Sequence, residues 1–171
     1  MSKTPVSQDR RDFLMALRGQ TAPVMEPAAI RPPWAYHLFD TCTRCGDCAP
    51  ACPENIIIHD PAGFPQIDFS KGECTFCGAC ADICRSDVFD RARDAWSNVI
   101  AVSPACFSER GIYCRSCGDG CPERAIRIMP QLGGRARVII MEDACSGCGA
   151  CVSACPADAI SITPAAEAAH D

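Results

Sequence analysis

Leucine is nearly missing from this chain. Leu14, Leu17, Leu38 and Leu132 are the only four among 171 residues, and phenylalanine, tryptophan and tyrosine together supply 6%. A chain of 18.3 kDa ordinarily folds around one apolar core, and the material for a large one is lacking here. The hydrophobic fraction of 48% overstates that core, because sixteen cysteines are counted in it. Histidine is scarce too, with only His37, His59 and His170. No run of about 18 apolar residues occurs, so no membrane span is expected. Acidic residues outnumber basic ones, 21 to 16, for a net charge of −5, and no basic stripe interleaves with aromatics. Nucleic-acid binding therefore has no support, and the mild acidity reads as a solvated surface. No G-x-G-x-x-G loop follows a strand pattern, which argues against a nucleotide- or flavin-dependent enzyme.

What the chain has instead is cysteine, in four sets of four with none left over. Cys42, Cys45, Cys48 and Cys52 read C-x2-C-x2-C-x3-C before Pro53, and Cys145, Cys148, Cys151 and Cys155 repeat that spacing before Pro156. Cys74, Cys77, Cys80 and Cys84 keep it, with Arg85 where the proline stood. The third set in chain order is stretched: Cys106, a seven-residue gap, then Cys114, Cys117 and Cys121 before Pro122. This is the bacterial ferredoxin signature for cubane 4Fe–4S clusters. The reading makes all sixteen cysteines iron ligands, for three clusters on the regular sets and a fourth on the stretched one.

The spacing has a physical reason. Two-residue gaps let one tight loop wrap three sulfurs around three corners of a cluster. The fourth cysteine, expected to begin a helix pointing away from that loop, ligates the partner motif's cluster. Gly78 and Gly149 follow the second cysteine of their sets, where a missing Cβ permits positive φ or close approach. A disulfide framework would not produce four registered sets of one spacing. Zinc sites want C-x2-C pairs a finger's length apart and usually histidine. With every cysteine assigned as a ligand, none is left as a nucleophile, and each set supplies four thiolates rather than three with an open iron. The chain reads as no enzyme.

Residues 1–35 form a leader, extended by its prolines near Pro32-Pro33. His37-Leu38-Phe39 reads as a short strand entering the first cysteine loop. Residues 55–68 show an apolar β-branched run, a Pro/Gly turn and a second apolar run, which is a hairpin signal. The third and fourth sets are joined the same way, with Ala125 to Met129, then Gly133-Gly134, then Val138 to Met141. Asp90 to Trp96 is charged without a turn signal and reads as a helix or linker. The fold class expected is α+β: two tandem pseudo-twofold 2(4Fe–4S) ferredoxin-like modules, residues 36–93 and 94–171, with short hairpins and short helices. Two pairings stay open. Sequential pairing groups Cys42, Cys45, Cys48 with Cys84; Cys74, Cys77, Cys80 with Cys52; Cys106, Cys114, Cys117 with Cys155; and Cys145, Cys148, Cys151 with Cys121. A nested scheme pairs the outer sets and the inner sets. Hairpin-joined motifs favour the sequential one.

Ile30-Arg31-Pro32-Pro33-Trp34, Gly63 to Phe69 leading into Cys74-Thr75-Phe76-Cys77-Gly78, the stretched Cys106 to Cys117 stretch and Ala125-Ile126-Arg127 carry a more specific likeness. Over residues 9–163 the chain resembles the NapF family, ferredoxin-type accessory proteins of periplasmic nitrate reductase systems. The resemblance implies a cytoplasmic iron–sulfur protein that binds the precursor of the nitrate reductase catalytic subunit. It would assist maturation before export by electron transfer, by cluster assembly, or both. The alternative is a generic polyferredoxin electron carrier or an electron-transfer subunit of another oxidoreductase. Arg10-Arg11-Asp12-Phe13-Leu14 looks like a twin-arginine export motif, but Arg18 breaks the apolar run well short of the roughly 7–15 residues that a signal needs. The expected location is cytoplasmic. The leader, with Arg10, Arg11, Phe13 and Trp34, is the expected docking segment, since Trp and Arg are favoured interface anchors.

Overall fold

Both hairpins form where the β-branched runs precede a Pro/Gly turn. In the computed structural model, which describes residues 29–96 and 98–164, β1 (Ile57–His59) pairs antiparallel with β2 (Pro65–Ile67), Ile57 opposite Ile67. The Asp60 carboxylate closes that turn by accepting the backbone N–H groups of Ala62 and Phe64, both at 2.9 Å. The second hairpin joins β4 (Ile126–Pro130) to β5 (Ala136–Ile140), with Ile128 opposite Val138. A third pairing brings together segments far apart in sequence: β3 (Asn98–Val102) runs antiparallel to β6 (Ile160–Pro164). Along β6 the side chains alternate, Ile160 and Ile162 buried and Ser161 exposed, as a half-buried strand requires.

Among the described residues the α-helices are single turns: α1 (Leu38–Thr41), α2 (Cys48–Ala51), α3 (Ala79–Asp82), α4 (Ser116–Asp119) and α5 (Ala150–Ser153). Two sequence expectations are corrected here. His37-Leu38-Phe39 is not a strand. The amides of Asp40 and Thr41 bond back to the His37 carbonyl, the Thr41 hydroxyl donates to that carbonyl, and the Cys42 amide bonds to Leu38. With one ladder-like bond to a partner segment, from the His37 amide to Val88 at 3.1 Å, the backbone satisfies itself locally. Nor does the fourth cysteine begin a helix. The turn carries the third cysteine and ends before the fourth, so that Cys52 caps α2 and Cys84, Cys121 and Cys155 each follow the last residue of α3, α4 and α5 by two. Asp90 to Trp96 is a linker of turns and bends, one of the two forms expected.

The apolar interior comes in two small clusters. Ile56, Ile57, Ile67, Phe69 and Cys80 pack with Ile162 from the far end of the chain. Cys117, Ile126, Val138, Cys151 and Ile160 make the other, and Ile100 and Val152 touch both. The two halves are therefore joined through side-chain packing. Arg10, Arg11 and Phe13 lie outside the described residues. Of the leader, residues 29–35 are seen, and they are fastened down. The Ile67 amide donates to Ile30 at 2.7 Å, the Trp34 amide to Ala95 at 2.8 Å, and Pro32 and Pro33 are buried. Arg31 pairs with Asp60 at 2.8 Å and donates to the Pro65 carbonyl. Desolvation pushes the Asp60 carboxyl up, yet the hydrogen bond from Arg31, the amide of Phe64, the charge of Arg31 and the amide of Ala62 outweigh it. They hold the group below the usual aspartate range. Trp34 takes a positive φ of 64° and sets its ring edge-on to Phe76, under the guanidinium of Arg91.

Candidate metal centres

Each of the helices α2 to α5 turns its following cysteine away from the loop that carries the other three, and the result is four cavities, each walled by four thiols. Cys42, Cys45 and Cys48 share one with Cys84, beside Leu38, His59 and Val88. Cys74, Cys77 and Cys80 share the next with Cys52, over Ile56, Ile57 and Ile67. Cys106, Cys114 and Cys117 line a third with Cys155, and Cys145, Cys148 and Cys151 a fourth with Cys121. The grouping is three thiols from one set and one from its hairpin-joined neighbour, the sequential scheme. The first cavity is the largest, about 310 Å³, and the other three are narrow, about 20, 20 and 10 Å³.

The stretched set reaches its cavity through an ordered loop. Buried Ser108 donates its hydroxyl to the Cys114 carbonyl at 2.5 Å and accepts the Ala136 amide on its own carbonyl at 2.9 Å. Bonds from the Arg110 amide to Cys106 and from Ile112 to Phe107 wind the seven-residue gap into a compact bulge. Cys106 and Cys114 thereby face one space despite their separation.

All sixteen thiols are free, and they stand around the cavities rather than on a point. Among the described residues no group of three or more His, Cys, Asp or Glu side chains closes on a single-ion position. Burial first, and the neighbouring thiols after it, push Cys48 and Cys74 to about 11 and Cys80 and Cys151 to about 12. Cys117 and Cys145 are raised for the same first reason. Neutral thiols of this kind become ligands only when a metal displaces their protons, so loading must release protons.

Whether an iron–sulfur group suits these walls can be tested on the polar atoms around them. Ser146 lines the fourth cavity with its hydroxyl buried, and among the described residues neither that hydroxyl nor the buried Asn98 amide nitrogen beside Gly147 has a hydrogen-bond partner. Buried donors without acceptors are costly. A sulfur-rich anionic group held by Cys145 and Cys148 would supply an acceptor next to Ser146. Backbone amides already aim at thiol sulfurs: Ala125 at Cys121 and Ala159 at Cys155, each at 3.3 Å, and Arg44 at Cys42 at 3.4 Å. The all-thiol donor sets and these donors fit the group. When bound it supplies one-electron transfer, and the chain's own part is to fix it, shield it and set its potential through such hydrogen bonds.

Some contacts of the sites left little trace in the sequence. Phe69, buried, lies against Gly149, whose φ is +86°, and a Cβ there would enter the Phe69 ring. Gly78, with φ of +77°, leaves room for Arg91, which bonds its carbonyl at 2.6 Å. The glycine signal was readable. That it serves a protein side chain across a domain junction was not. We expect Gly149→Ala to destabilise the loaded protein by roughly 2–5 kcal/mol, the sum of left-handed backbone strain and overpacking. Guanidinium melts would measure this, and Phe69→Ala added to that variant should recover part of the loss. Arg85, exposed, stands at the wall of the first cavity beside Cys84.

The model of the 4Fe–4S dicluster domain family matches this chain twice, over residues 41–88 and 112–161. The molecule is thus an iron–sulfur protein of the ferredoxin type, α+β, built from two dicluster domains. Cys106 falls outside the second match, although it lines the third cavity with Cys114 and Cys117. The chain is 49% identical over 137 residues to the ferredoxin-type protein NapF of Haemophilus influenzae, covering 78% of each. It is 38% identical over 135 residues to that of Escherichia coli, covering 77% of this chain and 82% of the relative. The methylamine utilization ferredoxin-type protein MauM of Paracoccus denitrificans is 32% identical over 165 residues, 84% and 74% of the two chains. The chain belongs to the NapF family of ferredoxin-type proteins, which are electron carriers and not enzymes. No helix among the described residues is long and apolar enough to cross a membrane.

Proposed function

We propose that the sixteen cysteines hold four 4Fe–4S clusters in two modules, residues 36–93 and 94–171. We further propose that the protein assists maturation of the nitrate reductase catalytic subunit. In this reading it acts in the cytoplasm, on the precursor before export, by electron transfer, cluster assembly or both. The observation that carries the cluster assignment is the set of four cavities, each walled by three thiols of one set and one of its partner. Kinship with the NapF proteins supports the client. The break in the apolar run at Arg18 supports the location.

Protein purified without oxygen should contain about sixteen irons and about sixteen acid-labile sulfides per chain, four of each per cubane. Stoichiometric zinc without labile sulfide would end the reading, and about twelve irons would place the defect at one set. Capture of the catalytic-subunit precursor tests the client. Deletion of residues 1–28 is the informative form, because residues 29–35 are tied to β2 and to Ala95 and their loss would disturb the fold. We expect the deletion to abolish capture while iron content holds. Unchanged capture would reduce residues 1–28 to a tail. No capture by the intact protein would leave the electron carrier of another oxidoreductase, the kind of setting that the likeness to MauM favours.

A further inference from the structure

Within each half, the one-turn helices of the two sets pack together, α2 on α3 and α4 on α5. Cys48 and Cys80 sit on the packed helices of one half, and Cys117 and Cys151 on those of the other. The halves then meet at one pair of sets. The Cys74 amide donates to the Cys148 carbonyl at 2.8 Å, which ties the second set directly to the fourth. Trp96 reinforces the junction: its indole N–H donates to the Ser146 carbonyl at 3.1 Å, and its ring stands edge-on to Phe76 and Phe69. Phe76 sits between Cys74 and Cys77, and Ser146 between Cys145 and Cys148. Phe69 fills the space at Gly149.

We propose that the four thiol sets stand in a single row, in the order one, two, four, three, with the first and third sets as its two ends. This rests on the iron–sulfur reading above. The order differs from that of the sequence, because the second module enters the row by its last set. Such a row suits one-electron transfer between two docked proteins. A one-electron donor is oxidised at one end and a one-electron acceptor reduced at the other, with no bond made and no proton moved. The third set, an end, carries the stretched loop, on which Ile112 and Tyr113 are exposed. The junction residues Phe69, Phe76, Trp96 and Gly149 are what make two modules into one conductor.

The test uses loaded, full-length protein, photoreduced with deazaflavin and examined by electron paramagnetic resonance for spin coupling between centres. Cys145→Ser removes a wall of the fourth cavity and should leave the third set alone, giving an uncoupled signal. Cys106→Ser removes a wall of the third and should leave no uncoupled signal, because the fourth set still adjoins the second. Uncoupled signals in both variants would mean two separate pairs. One in Cys106→Ser alone would mean that the third set makes the junction, and absence from both would mean a compact cluster of centres. Each of these overturns the row. Amide exchange on the unaltered loaded protein decides independently if a variant fails to load. The Cys74 amide should be strongly protected by its bond to Cys148, and exchange at the rate of an open loop would sink the proposal. Iron and sulfide analysis of the unaltered protein separates the two levels: full loading with the wrong coupling refutes the row alone, and absent sulfide refutes the cluster reading beneath it.

Discussion

Chelation of iron under reducing conditions is expected to abolish the cooperative fold, with most of the far-ultraviolet circular dichroism lost. The apolar interior is too small to hold the chain unaided. Its largest fully buried side chains among the described residues are Leu38, Ile56 and Val88, and Cys80, Cys117 and Cys151 are themselves members of the two core clusters. Helices of one turn have no stability of their own, since nucleation costs more than so few bonds return. Two-stranded hairpins are marginal for a similar reason. Structural metal sites can contribute about 10–16 kcal/mol, against a net stability of about 5–15 kcal/mol for a whole domain. Removing such groups leaves a deficit. Any residual apo structure should weaken further as pH rises. Cys48 and Cys74 are pushed to about 11, and Cys80 and Cys151 to about 12, from a thiol value of 9.0. Between those limits the folded chain holds more protons than the unfolded one, so the contribution is intact below pH 9.0 and is lost as pH climbs through the folded values. Native-like dichroism after complete iron removal would show that apolar packing alone suffices.

The local half of this architecture was legible in the sequence, and the long-range half was not. Cysteine spacing announced four loops, and Ile56-Ile57-Ile58 and Val138-Ile139-Ile140 announced hairpin strands, because both signals lie within one element. The pairing of β3 with β6 joins residues some sixty apart, and Asn98 to Val102 carries no turn chemistry to mark its partner. His37 to Phe39 misled for the complementary reason. Apolar character suggested a strand, but strand formation depends on a paired neighbour, and the segment after Cys84 offers a single bond, from the His37 amide to Val88. The leader through residue 35, Trp34 included, reads from sequence as a docking segment. Its residues 30 to 34 also clasp their own chain, with Arg31 on Asp60 and Trp34 on Phe76. Such contacts follow from which loops the fold brings together, and no periodicity records that.

Removing Cys84 is expected to open the first cavity and leave the second intact, although Cys84 belongs by sequence to the second set. The Cys84 thiol lines the cavity of Cys42, Cys45 and Cys48, because α3 carries the chain away from Cys74, Cys77 and Cys80 before Cys84 is reached. With one of four thiolates gone, one iron of the first centre loses its protein ligand, and that centre should be lost or reduced to a three-iron form. Total iron should fall by up to a quarter, from about sixteen towards about twelve. The clearest readout is chemical. Native alkylation mapped by mass spectrometry should label Cys42, Cys45 and Cys48 in Cys84→Ala and spare Cys74, Cys77 and Cys80. The reciprocal variant, Cys52→Ala, should expose Cys74, Cys77 and Cys80 while sparing Cys42, Cys45 and Cys48, since Cys52 lines the second cavity. Labelling of Cys74, Cys77 and Cys80 in Cys84→Ala would mean that each set keeps its own fourth ligand. Labelling of Cys106, Cys114 and Cys117 would mean that the inner sets pair with each other, and the sequential arrangement would be wrong.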